Sequence, residues 1–148
     1  MLTFLLATGL VGGAVTGVPV VTPPQRVIAI TPLGGTASAA QHLDPTDVMD
    51  FVLDLTELLA DGEQFALIDI RVTAAAALQG FELLQGAPYA PAPIGDGQVR
   101  IWATVAAGSR DAPQWAKFFL CQIEITARTT SGPPRTWQRT AQITVGHR

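Results

Sequence analysis

The sequence predicts an all-β chain, an antiparallel β-sandwich that carries a long extended N-terminal arm. Three observations predict it. After residue 64, short runs alternate apolar and polar residues, and clusters of Gly, Pro and Asp separate them. No strong helical pattern intervenes between those runs. Residues 1–43 are of a different kind, rich in Gly, Ala, Thr, Val and Pro, with no acid and with Arg26 as the one ionic side chain.

The bulk composition sets the frame for these elements. A chain of 148 residues has room for one domain plus an appendage around a single core. Charged residues make up 14 % and hydrophobic residues 48 %, an apolar balance for a free monomer, which implies that a partner or further copies cover part of the surface. A net charge of −3 argues against a nucleic-acid partner, which would require a basic footprint. Cys121 is the single cysteine, so no intrachain disulfide forms; it alternates with Phe119, Ile123 and Ile125 and reads as a core thiol.

Residues 2–21, LTFLLATGLVGGAVTGVPVV, carry no charge and contain Gly9, Gly13 and Gly17 at GxxxG spacing. A secretory signal would place a basic residue before its apolar run, and none precedes Arg26. A membrane-spanning helix is weakened by Gly9, Gly12, Gly13, Gly17 and Pro19 and by the β-branched Val and Thr residues. The expectation is a docking arm, with no membrane contact. Pro19, Pro23, Pro24 and Pro32 rule out a long helix. RVIAIT, residues 26–31, has strand character, and GGTASAAQH reads as a flexible or tightly turned linker. The expected boundaries are an arm and linker over 1–43 and a sandwich domain over 44–148.

DPTDVMDFVLDLTELLADGE, residues 44–63, supports two readings. Asp44, Asp47, Asp50, Asp54, Glu57 and Asp61 recur every three or four residues, which suits one face of a helix beginning at Pro45 and ending at Gly62. Phe51, Leu53 and Leu55 also alternate, which suits a strand followed by a helical turn. In either case the acids are expected to form a solvated face, with a surface for a basic partner as the alternative; their spacing does not match a calcium loop.

Beyond residue 64 the strand signals are direct. Ile68, Ile70 and Val72 share one face, with Asp69 and Arg71 on the other. FELLQG is a short edge strand, and APYAPAPIGDG reads as a loop too rich in proline for a ladder. Val99, Ile101, Ala103 and Val105 alternate with Arg100, Trp102 and Thr104. The longest run, KFFLCQIEITART, and TWQRTAQITVG are separated by the turn SGPP and should form an antiparallel hairpin. Such a series implies a sandwich of immunoglobulin type.

Catalytic chemistry is not indicated. His42 and His147 lack partners at metal-ligand spacing, and no nucleophile elbow, phosphate loop or Cys-x-x-Cys pair is present. No cofactor is expected. Trp102, Trp115 and Trp137 suit edge or interface packing better than a carbohydrate platform. Trp102, together with Arg110 and Trp115 of GSRDAPQWAK, forms the set of candidate surface contacts.

DPTDVMDFVLDLTELLADGE, the strand ending Val72-Thr73, VRIWATVAAG and ITARTTSG followed by RTAQITV together resemble small immunoglobulin-like virion proteins of tailed bacteriophages, of the fibre–tail adaptor or head-decoration type. The resemblance covers residues 44–146. SGPPR lengthens the usual turn, RDAPQWAK is an insertion, and the long apolar arm is not part of the pattern. The resemblance favours a strand over about 48–55 with a helical turn over 56–60. It implies a non-enzymatic virion component whose partners are capsid, neck or tail subunits and copies of itself. The arm residues expected to make those contacts are Phe4, Leu5, Leu6, Leu10, Val11, Val15, Val18, Val20, Val27, Ile28 and Ile30. The alternative is a secreted or membrane-tethered adhesion or carbohydrate-binding domain.

Overall fold

Alternation of apolar and polar side chains builds two sheets that close on one core. The structure, a computed structural model, describes residues 22–148 and the backbone of residues 2–5. The strands are β1 (Leu2–Leu5), β2 (Val27–Ala29), β3 (Thr36–Ser38), β4 (Met49–Asp54), β5 (Phe65–Val72), β6 (Phe81–Leu83), β7 (Ala92–Gly95), β8 (Gln98–Val105), β9 (Phe119–Thr129) and β10 (Thr136–Val145). Among the described residues one α-helix forms, α1 (Ala74–Leu78), capped by Thr73, whose hydroxyl accepts from the Ala76 amide.

One sheet runs β1-β5-β9-β10-β3; the other runs β2-β4-β8-β6, with β7 also pairing β8. The inward residues of both sheets form a common cluster that includes Phe51, Leu53, Ile70, Ile101, Ile123 and Ile143, so the sheets pack face to face. The fold is therefore an all-β sandwich. Its sheets are mixed: β2 lies parallel to β4 and β3 parallel to β10, while the other pairings are antiparallel.

The segment over 45–60 is a strand with a turn. β4 is followed by a single 3₁₀ turn over Thr56–Leu58. Helical spacing of the acids loses here because Phe51, Leu53 and Leu55 are all fully buried, which a strand facing the second sheet achieves and a surface helix does not. Nor do the acids form one solvated face. Asp44 and Asp54 accept from Thr46 and Thr56 two residues on, and Asp50 is buried.

Three further expectations change. Residues 27–29 and 36–38 are strands of the two sheets, so the stretch before residue 44 is woven into the sandwich rather than lying wholly outside it. The stretch read as GGTASAAQH linker supplies β3 and buries Ala39. The proline-rich loop contains β7, with Pro93 opposite Val99; an outer strand of this kind, with a register shift after Pro93, tolerates a residue lacking an amide proton. The β9–β10 hairpin forms as the alternation requires, with Ile123 opposite Ala141 and Cys121 opposite Ile143.

Candidate functional site

The expected contact residues separate into distinct environments. Phe4 and Leu5 lie on β1, where the backbone pairs antiparallel with β5: Leu2 faces Ile70, Thr3 faces Asp69, Phe4 faces Ile68 and Leu5 faces Leu67. Leu6, Leu10, Val11, Val15, Val18 and Val20 lie outside the described residues. Val27 is half-buried on β2. Ile28 and Ile30 are corrected: both are buried in the core of their own chain and have no surface to offer a neighbour. Apolar side chains on a strand between two sheets lose more water contact by turning inward than by waiting for a partner.

Trp115 is also corrected. It has no exposed surface, its Nε1 donates to the Ser109 carbonyl at 2.7 Å, and its ring packs edge-on against Phe119. A polar sequence context concealed a core residue brought in by the 3₁₀ turn over Pro113–Ala116. Arg110 is half-buried, and its Nε donates to the Val105 carbonyl. Trp102 is half-buried, with Tyr89 against it at 5.2 Å in a T-shaped arrangement.

An ion cluster on the outer face of the second sheet has no counterpart in the local sequence pattern. β4 alternates, so Phe51 and Leu53 face the core while Asp50 and Val52 face away from it. Both outward residues are nevertheless buried. The Asp50 carboxylate lies 2.8 Å from Arg26 Nη1 and 3.5 Å from Arg100 Nε, and it accepts from the Thr22 hydroxyl at 2.6 Å. The cluster fastens residues 22–26 across β4 and β8. One signal for it stands in the sequence: Arg26 is the lone ionic group in 43 residues, and a cation there needs a distant counter-charge.

A second polar node ties the β4–β5 connection to the turn between β9 and β10. Arg135 Nη2 contacts the Glu63 carboxylate and donates to the Leu58 carbonyl, and the Ser131 hydroxyl donates to Glu63. Arg135, then Ser131 and the Ala60 amide, hold the Glu63 carboxyl down to about 2. Arg135 and Arg139 also flank the Trp137 ring, with centroid distances of 5.4 and 4.8 Å. The Thr46 amide, followed by the Thr46 hydroxyl, lowers the Asp44 carboxyl. Burial pushes the Cys121 thiol up to about 12, as befits a core residue.

Among the described residues no group of His, Cys, Asp and Glu is gathered as a metal site, and no helix is long and apolar enough to cross a membrane. The polar clusters fasten loops to sheets. At the β1–β5 sheet edge the pairing is made through the main chain of residues 2–5. Comparison with protein-family models and with curated proteins gives no match.

Proposed function

We propose that the chain is a non-enzymatic structural component of a tailed-phage virion, docking by its N-terminal arm onto neighbouring capsid, neck or tail subunits in a decoration or adaptor role. The observation that carries this reading is the main-chain pairing of Leu2–Leu5 to a sheet edge, at the end of an uncharged segment. Backbone pairing of this kind works on a neighbour's edge as well as on its own.

The immunoglobulin-like assignment belongs to the same proposal, and strand order supports it. Taken in chain order as strands B to G, β4, β5, β6, β8, β9 and β10 place B, E and D in one sheet and C, F and G in the other. β2 adds beside B, and β3 adds parallel to G. The sequence resemblance over 44–146 points the same way, and the low charge content suits a surface shared with other subunits.

Mass spectrometry of purified particles, with cross-links mapped from residues 2–5, tests the reading. The chain is expected in the particle with its arm cross-linked to an adjacent subunit. Its absence from particles made in cells that express it would overturn the proposal. A truncation test must stop at residue 21, because removing residues 1–40 would also remove Ile28, Ile30 and Ala39 from the core.

The half-buried Trp102 beside the exposed Tyr89 favours one other reading, an adhesion or carbohydrate-binding domain. Glycan-array binding that is lost in Trp102→Ala would support it.

A further inference from the structure

We infer that the side of β5 away from β9, paired with β1 within one chain, is a strand-acceptor edge whose occupant in the assembled state is Leu2–Leu5 of a second copy of this chain. The inference rests on the docking-arm reading and names both the surface and the partner.

The acceptor edge follows from topology. After β5 the chain passes through α1 to β6, which pairs β8 in the opposite sheet. No strand between Thr22 and Arg148 returns to that side of β5, because β9 holds its other side and β3 closes the far end of the sheet. In variable-type immunoglobulin domains a strand following C fills that place. Here it is filled from the other end of the chain, by β1.

The edge is a poor one to leave open. β5 is eight residues long, and Phe65, Ile68 and Ile70 on it are fully buried, so its unpaired amides and carbonyls would border the core. A four-residue strand covers the middle of this edge, Leu67 to Ile70, through the main chain, a form of pairing that makes little demand on side-chain identity.

The connection permits exchange. The Asp50 cluster pins Thr22 to the outer face of the β4 sheet, whereas β5 borders the other sheet. Residues 6–21 join the two points, and sixteen residues reach as far as about 55 Å when extended, against about 10 Å between two packed sheets. That length is enough to reach an edge on an adjoining molecule as well as its own. Exchange of an identical element keeps every pairing contact, so the local concentration of copies decides which edge is filled. In a shell of adjacent subunits that concentration is highest.

Leu5→Cys and Leu67→Cys, opposite each other in the register, test this in the full-length protein. The native thiol is buried and does not compete. Each single variant is purified, and the two are mixed at rising concentration and oxidised. The expected result is a covalent dimer in the mixture, absent from either variant alone and increasing with concentration. The variant carrying both cysteines should give chains linked in series when concentrated and an internally closed monomer when dilute. Internal closure at every concentration, with no dimer in the mixture, would overturn the exchange. Absence of any cross-link would overturn the acceptor edge itself. These outcomes are read on pure protein, so exchange by a chain missing from particles would refute the virion reading alone. Presence in particles with internal closure only would refute the exchange alone.

Discussion

Truncating Ile28 to alanine separates a core strand from a docking arm. Ile28 sits on β2, pairs with Leu53 and has no exposed surface. The substitution removes about three carbon groups at about 0.8 kcal/mol each, and an uncollapsed cavity raises the total toward the 2–5 kcal/mol typical of buried Ile→Ala changes. A loss of about 3 kcal/mol, with a urea slope of about 2 kcal/mol per M for a chain of this size, lowers the midpoint by about 1.5 M. Tryptophan emission reports the transition, since Trp115 is fully buried in the native state. Val27→Ala is the internal control: Val27 is half-buried, so its midpoint should fall by less than half as much. An unchanged midpoint for Ile28→Ala, combined with weakened self-association, would return this segment to the arm and refute the argument.

Three other outcomes follow from the polar sites and the thiol. The Glu63 carboxyl is lowered from 4.5 to about 2, so its contribution is full above the ordinary carboxylate value and is lost as pH falls through that window. The thermal midpoint of Glu63→Gln should therefore depend less on pH between 4.5 and 2 than that of the wild type, and parallel profiles would contradict the ion-pair assignment. Cys121 should resist a disulfide reagent at pH 8 in the native protein and react fully in denaturant, because burial raises its thiol to about 12; prompt native reaction would refute its placement. Asp50→Ala removes the anion that Arg26 and Arg100 share and should cost about 3–5 kcal/mol in denaturant unfolding, while Asp50→Leu with Arg26→Met should cost less than the sum of its two single changes.

What was legible in the sequence was whatever had enough length to show a period. In β9, Cys121, Ile123 and Ile125 lie inward while Gln122 and Glu124 are exposed, as the alternation requires. β2 showed in the strand character of RVIAIT, whereas β3 has three residues, too few for a period; what neither revealed is the parallel pairing to β4 and β10, whose partners lie 25 and about 100 residues away. The acids over 44–61 misled because three- and four-residue spacing measures only where charges fall. Asp50 is neutralised by Arg26 and Arg100, a contact invisible to any local window. Trp115 was hidden in the same way, since its polar neighbours gave no hint that Ser109 would receive its indole N–H.

The pairing of β1 with β5 was the least legible feature for a physical reason. A strand that adds to an edge through its own amides and carbonyls needs little from its side chains beyond avoiding proline and charge, and LTFL meets that requirement without advertising it. Its significance comes from where the rest of the chain does not go: from β5 through α1 to the other sheet, leaving one side of β5 to be filled. The Asp50 cluster then fixes the point from which the connecting residues depart. The burial of Ile28 and Ile30 assigns residues 27–30 to the fold, and in the exchange we propose the main-chain edge on β5 is where a strand from an adjacent copy replaces β1 with no loss of pairing.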